Sequence, residues 1–217
     1  MASQVAHIVY AGKYLEKYPL ENSDEFLLGV CFPDIRRIEP KIKRSDTHMI
    51  LNDLNSDLRY LEPFQAGWKF HLYCDMKREE ILNRLGFYEI SGTHELWNLP
   101  NKHLEDEVVY DSYRNWEKVV NLFNNPPEVK LPNFVSPARG ASQIEAGGRE
   151  TFGIWYAILA KYFEKKPDSQ AMRIFLSKQP NLAARADDII KAIDKLRKND
   201  KVVELLGKVK EEIITGI

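Results

Sequence analysis

The sequence predicts an all-α protein of 217 residues. Apolar residues recur at helical spacing along most of the chain, and no alternating run of Val, Ile and Thr is long enough to predict a β-strand. Hydrophobic residues make up 44% of the chain and charged residues 29%, which is typical of a globular protein and excludes a chain that is disordered throughout. A chain of this length can bury a core without disulfides or a structural metal ion.

Prolines, glycines and polar stretches divide the first half of the chain into helical segments. Helices are predicted over residues 3–18 and 25–32, each followed by a proline that ends it. Residues 35–47 are highly charged and contain a proline, so they are interpreted as a surface loop. Helical spacing resumes over 48–61 and again over 63–85, where a proline suits the first turn of the second helix.

The second half of the chain contains the clearest discontinuity. A helix is predicted over 104–123, whereas residues 124–148 include four prolines and three glycines and are interpreted as a long loop or linker. Four short helices are then predicted, at 150–165, 169–178, 183–198 and 201–215. The expected organisation is a metal-binding helical domain over 1–123, a Pro/Gly-rich linker over 124–148 and a helical C-terminal extension over 149–217 that packs on the first domain.

Charge and composition exclude several classes of function. The 31 Lys and Arg residues are balanced by 32 Asp and Glu residues, so no strong field attracts the chain to nucleic acid or an anionic membrane. No apolar run approaches the roughly 20 residues that span a bilayer, and the N-terminus does not resemble a secretory signal. Two cysteines are too few for a disulfide framework. We therefore expect a cytoplasmic protein, whose oligomeric state the sequence leaves open.

Histidines and acidic residues that are suited to metal binding occur in the first third of the chain: His7, Asp34, His48, His71 and Asp75. On a helix, His71 and Asp75 would lie on one face, close enough to hold one divalent ion. A mixed nitrogen and oxygen donor set favours zinc or a similar metal over calcium. Each residue also has a simpler interpretation, because a lone histidine is usually hydrogen-bonded and His71–Asp75 could be a structural pair.

The order of these residues resembles that of a known family. The motifs are "AHIVYA" with His7, "FLLGVCFPDI" with Asp34, "DTH" with His48, and "FHLYCD" with His71 and Asp75. They are similar to the successive motifs of the zinc-dependent phospholipase C superfamily, which includes single-strand-specific zinc nucleases. The resemblance covers roughly residues 1–110 and implies an all-α fold that holds up to three zinc ions.

Carried over to this chain, the resemblance implies that Asp34, His48, His71 and Asp75 form one metal centre, with Asp75 bridging to a second ion near His7. Two features depart from the family. The secreted enzymes use a processed N-terminal tryptophan as a ligand, whereas six residues precede the first histidine here. A second downstream His-x-x-x-Asp pair is also absent, and "HLEDE" at 103–107 is a weak substitute. One or two ions are therefore expected rather than three.

Two arginines follow the proposed ligand Asp34. Arg36 and Arg37 could donate charge-assisted hydrogen bonds to a phosphate held by the metal, although a solvated basic loop explains them as well. The expected function is a metal-dependent hydrolase of phosphodiesters or phosphomonoesters, small substrates that metal-bound water would attack. The alternative is a helical scaffold or binding protein with a structural or vestigial metal site. A helical His-Asp phosphohydrolase is disfavoured because the adjacent His-Asp pair is missing.

Overall fold

The computed structural model describes residues 3–48, 58–129 and 142–217, and these ranges contain helices and no β-strand. The all-α prediction is therefore confirmed. The α-helices are α1 (Gln4–Lys17), α2 (Ser23–Cys31), α3 (Arg44–Thr47), α4 (Pro63–Arg84), α5 (Phe87–Ser91), α6 (Leu99–Val109), α7 (Trp116–Asn124), α8 (Ser142–Phe163), α9 (Ser169–Ser177), α10 (Ala186–Leu196) and α11 (Asp200–Gly216). Short 3-10 helices are Phe32–Arg37, Leu58–Tyr60, His94–Leu96, Tyr110–Ser112 and Ala183–Arg185.

The expected surface loop after the second helix is ordered and partly buried. A 3-10 helix continues directly from α2 over Phe32–Arg37, with Pro33 in its first turn, and it buries Asp34 and Ile35. The first residues of a helix do not donate their N–H groups within the helix, so proline, which lacks one, is tolerated there. Pro33 therefore lies in the first turn of a new helix and does not end the helical segment. Further along, α3 interrupts the predicted loop and buries Thr47.

Other predicted boundaries also differ. The single helix expected over 104–123 is two helices, α6 and α7, because the backbone is extended at Tyr113. The loop expected over 124–148 is shorter, since α8 begins at Ser142. Most of the helix predicted over 48–61 lies outside the described residues, and Leu58–Tyr60 forms a 3-10 turn.

Two glycines allow α2 and α4 to approach each other closely. A Cβ atom at Gly29 would lie 2.0 Å from the carbonyl oxygen of Phe64, and one at Gly67 would lie 2.0 Å from that of Phe26. Neither position can hold a side chain without separating the two backbones. This contact fixes α2, from which the turn containing Asp34 extends, against the first turns of α4.

The C-terminal helices share one hydrophobic core with the N-terminal helices. Trp155 on α8 is fully buried and donates its indole N–H to the carbonyl oxygen of Cys31, 2.9 Å away. The hydroxyl of Tyr156 donates to the carbonyl of Leu28. These contacts give the carbonyls at the C-terminal end of α2 a second donor and anchor that end of the helix to α8.

Among the described residues, we find no helix that combines the length and the apolar character required to cross a bilayer.

Candidate metal centre

The structure brings the five candidate ligands together from four segments. His7 lies on α1, His71 and Asp75 lie on α4, Asp34 lies in the turn after α2, and His48 directly follows α3. The carboxylate of Asp75 is at the middle of the group. Its oxygens lie 3.5 Å from Nε2 of His7 and 3.7 Å from Nε2 of both His48 and His71. These side chains are at most 9% exposed.

Each imidazole is held by a contact at its other nitrogen. Nδ1 of His7 lies 2.8 Å from the carbonyl oxygen of Ser3, and Nδ1 of His71 lies 2.8 Å from that of Val30. A carbonyl can only accept a hydrogen bond, so in the neutral ring of His71 Nδ1 carries the proton and Nε2 carries the lone pair. Nε2 of His7 also lies 3.4 Å from the carbonyl oxygen of His71, so both nitrogens of that ring face a carbonyl. Nδ1 of His48 lies 2.9 Å from the hydroxyl of Thr47, which can donate or accept.

Packing between the rings fixes their directions further. The rings of His7 and His71 are stacked, with centroids 3.9 Å apart and planes 6° from parallel. The ring of His48 meets that of His71 edge to face at 5.3 Å. Nε2 of His48 and Nε2 of His71 are buried and have no hydrogen-bond partner among the described residues. Nε2 of His71 carries the lone pair of its ring, and an available lone pair in a buried site is a chemical reason to expect a ligand there.

Two overlapping sets of residues could hold a metal ion. One set is His7, His71 and Asp75, and the other is Asp34, His48 and His71; within each set the ligand atoms lie within 4.8 Å of one another. His71 belongs to both, but Val30 occupies its Nδ1, so its single Nε2 lone pair can serve one ion at a time. A second ion would therefore depend on His7 and the other oxygen of Asp75.

The carboxylate of Asp34 is surrounded by donors. Nε2 of Gln4 donates to one oxygen at 2.6 Å, and the other oxygen lies 3.1 Å from Nε of Arg37 and 3.4 Å from a terminal nitrogen of Arg36. The arginines predicted to bind phosphate thus lie beside the candidate ligand and contact it directly. Gln4 was not identified from the sequence, although it precedes His7 by three residues and so lies on the same face of α1.

The electrostatic environment favours the charged forms of Asp34 and Asp75 and the neutral forms of His48 and His71. Burial alone would raise the pKa of Asp34, but Arg37 and then His71 hold that pKa well below its usual value. Burial lowers the pKa of His48 to about 4, and burial together with His7 places the pKa of His71 well below its usual value. Burial also raises the pKa of the Cys74 thiol, which disfavours the thiolate form that binds metals.

The His-x-x-x-Glu pair considered as a weak third site does not form one. Glu107 accepts from the guanidinium of Arg197 at 2.8 Å. His103 instead lies 3.9 Å from Asp106 and packs edge to face on Phe175. Burial and the charge of Arg37 lower the pKa of His103 to about 3.

Sequence reasoning did not predict that Lys102 is buried. Lys102 on α6 is 6% exposed, and burial, followed by the charge of Arg37, lowers its pKa to about 7. Its sequence context, "NKHLEDE", is strongly polar and is typical of a solvated helix face. The available signal was that this segment has no continuous apolar stripe. A helix of that kind inside a folded chain has to bury some of its polar residues.

The donor set fits a divalent ion of the zinc type. Three imidazole nitrogens and two carboxylates are the ligands that zinc accepts, and contacts to Nδ1 are the usual means of orienting such histidines. His7, Asp34, His48, His71 and Asp75 are thus the residues that could hold the ion. No protein-family model, curated protein or solved structure matches the chain, so the site rests on its own geometry.

Proposed function

We propose that the protein is a metal-dependent hydrolase of phosphate esters and that it is related to the zinc-dependent phospholipase C superfamily. The observation that carries the proposal is the convergence of three imidazole Nε2 atoms on the carboxylate of Asp75, within 3.5–3.7 Å. His7, Asp34, His48, His71 and Asp75 would hold one or two zinc ions. A divalent ion bound there would supply Lewis-acid chemistry, polarising the phosphoryl group and acidifying water.

The arginines contribute the substrate-binding part of the proposal. Arg36 and Arg37 lie within 3.4 Å of Asp34, so a phosphate bound at the centre would lie close to both. A guanidinium has five N–H donors in a planar array, so an arginine that contacts a carboxylate can also donate to a phosphate oxygen. Their role is to orient the ester and to stabilise charge that develops on its oxygens.

The burial of the donor set favours a second candidate function. The side chains of His48 and Asp75 are 4% and 9% exposed, which suits a structural ion that links α1, α3 and α4. In that case the protein would be a helical scaffold or binding protein whose metal site stabilises the fold. The two candidates predict the same metal content and differ only in turnover.

The cellular setting belongs to the same proposal. Cys31 and Cys74 are free and buried thiols, which is consistent with a reducing compartment. We infer a cytoplasmic location.

Metal content and turnover measured on matched variants test the proposal. Protein purified without chelator should contain one or two equivalents of zinc by elemental analysis, and it should hydrolyse p-nitrophenyl phosphate or its bis ester. His71→Ala should lower zinc affinity at least 100-fold, because it removes the ligand that both sets share. His94→Ala is the control, since His94 is exposed and outside both sets.

The outcomes separate the two candidates. Full zinc occupancy without turnover on either ester would favour the structural site. Absence of zinc, or equal zinc affinity in His71→Ala and His94→Ala, would contradict both.

A further inference from the structure

Gln4 is the first residue of α1, and its side-chain amide holds one oxygen of the Asp34 carboxylate. Gln4 is 3% exposed, and its Nε2 lies 2.6 Å from Oδ2 of Asp34. A carboxylate can only accept hydrogen bonds, so the amide atom that faces Asp34 is the nitrogen. Oε1 of Gln4 is buried and has no hydrogen-bond partner among the residues that the structure describes. A buried acceptor without a donor is costly, so we expect a group outside the protein to donate to it.

The contact with Asp34 places Oε1 at the candidate metal centre. Oε1 is bonded to the same carbon as Nε2, so it lies close to the carboxylate that Nε2 contacts. Gln4 also precedes His7 by three residues on α1, and residues at this spacing share a helix face. The amide is therefore joined to one set of candidate ligands through Asp34, and it extends from the same side of α1 as His7, which belongs to the other set.

The chemistry of the centre limits what can donate to this oxygen. The oxygens of an ionised phosphate ester carry no proton at neutral pH, so the ester itself accepts and does not donate. Zinc prefers nitrogen, sulfur and carboxylate oxygen, whereas amide oxygens are typical ligands of calcium. A water molecule has two O–H donors, and buried water commonly satisfies polar groups of this kind.

A second acceptor is available for the other O–H of such a water molecule. Nε2 of His71 is also buried and without a hydrogen-bond partner among the described residues. His71 and Asp34 contribute ligand atoms that lie within 4.8 Å of each other. In the metal-free protein, the neighbourhood of Asp34 therefore contains two unused acceptors for the two donors of one water molecule.

We propose that Gln4 holds a water molecule beside Asp34 and orients it for reaction with the phosphate ester. The inference rests on the proposed hydrolase function and names a positioning residue of that site. During hydrolysis the water oxygen forms a bond to phosphorus, the bond from phosphorus to the ester oxygen breaks, and one proton of the water passes to the departing alcohol. Oε1 accepts a hydrogen bond from the other O–H, which directs a lone pair of the water towards phosphorus.

A crystal structure of the metal-free wild type tests the water site directly. We expect a water molecule at about 2.7–3.0 Å from Oε1 of Gln4. The same water should be absent from Gln4→Met, whose side chain has a similar length and lacks the amide. A protein group that donates to Oε1, or an empty space beside it, would overturn the assignment. Oε1 bound directly to the ion in a zinc-loaded crystal would overturn it as well.

Kinetics at saturating zinc test the orienting role. Gln4→Met should lower kcat for p-nitrophenyl phosphate at least tenfold, because a misplaced reactant reacts slowly. KM should change less than threefold, since Arg36 and Arg37 still bind the ester. Gln65→Met, at an exposed position on α4, is the matched control and should retain the kcat of the wild type.

Zinc content is measured on the same samples, because Gln4 also contacts a candidate ligand. An unchanged kcat in Gln4→Met, or a loss of turnover that only follows a loss of zinc, would overturn the orienting role. Failure of the proposed function is recognised separately, from the zinc content and turnover of the wild type. The metal-free crystal structure decides whether Gln4 holds the water molecule in either case.

Discussion

The hydroxyl of Thr47 contacts His48 at the candidate metal centre. Removing this hydroxyl tests how the imidazole of His48 is oriented. Thr47 is 1% exposed, and its hydroxyl lies 2.9 Å from Nδ1 of His48. Thr47→Val keeps the shape of the side chain and leaves that nitrogen without its contact. We expect zinc affinity to fall by about 10- to 100-fold, as is typical when a contact behind a ligand is lost. Competition titrations with a chelator dye measure it.

Thr215→Val is the matched control for this prediction, because Thr215 is exposed on α11 and its hydroxyl donates to the carbonyl oxygen of Glu211 on the same helix. Equal zinc affinities in the two variants would show that His48 is oriented by other contacts or does not bind the ion.

The ammonium of Lys102 should leave a signature in the pH dependence of stability. Burial, and then the charge of Arg37, lower its pKa to about 7 from 10.5. Between these values the unfolded chain binds more protons than the folded chain, so stability is lost as the pH falls from 10.5 towards 7 and gained as it rises.

The free energy of unfolding of the metal-free wild type, minus that of Lys102→Met, should therefore rise by about 1.4 kcal/mol per pH unit between about pH 8 and 9.5. Urea unfolding at several pH values in this range measures the slope. A difference that does not change with pH would mean that the ammonium keeps an ordinary pKa.

At the scale of elements, the contact between α2 and α4 carries the largest geometric constraint. Gly67→Ala would place a methyl group 2.0 Å from the carbonyl oxygen of Phe26, so the helices must move apart. We expect a loss of about 3 kcal/mol in the free energy of unfolding, and weaker zinc binding because the Val30 contact to His71 is strained. Chemical denaturation measures the first effect, and zinc titration measures the second.

Gly207→Ala is the control, and it should have the opposite effect on stability. No atom lies within 4 Å of the added Cβ on α11, so the substitution should stabilise the protein by up to about 1 kcal/mol. If the two alanine variants were equally stable, the close contact of α2 and α4 would be wrong.

The helices themselves show what the sequence can and cannot predict. The predicted segments matched α1, α4 and α9 closely, because their boundaries are set by local residues such as Pro63 and the polar break after Lys17. The 3-10 turn at Phe32–Arg37 was missed, since its stability depends on Gln4 and the two arginines that surround Asp34. Those partners are distant in sequence or look like solvated charges.

One part of the candidate site could likewise be predicted from the sequence, and another part could not. The spacing of His71 and Asp75 is local, so a sequence pattern can place both on one face of a helix. Burial of Lys102 is not local: it follows from the packing of α6 against α1, α10 and α11, which no pattern within "NKHLEDE" specifies. The role of Thr47 depends likewise on where the chain turns after α3.

At the scale of the whole molecule, α8 connects the C-terminal helices to the centre. Trp155→Phe removes the indole hydrogen bond to the Cys31 carbonyl, which then keeps only its bond within the 3-10 helix that Cys31 caps. We expect a loss of about 1–2 kcal/mol in the free energy of unfolding. Urea denaturation of Trp155→Phe, beside Trp97→Phe as control, measures it.

Trp97 is 59% exposed and packs on Arg185, so its replacement should change stability by less than about 1 kcal/mol. Similar losses in the two variants would mean that α8 does not stabilise the end of α2.

The dependence of α2 on α8 has a consequence for biosynthesis. The last carbonyls of α2 accept hydrogen bonds from His71 on α4 and from Trp155 and Tyr156 on α8. A ribosome adds about 5–20 residues per second, so α8 starts to emerge roughly 3–12 s after α4 is complete. During that interval His7, Asp34 and His71 are outside the ribosome without the helix that stabilises the turn between them. Metal loading should therefore be a late event of maturation, completed only after the last third of the chain has been made.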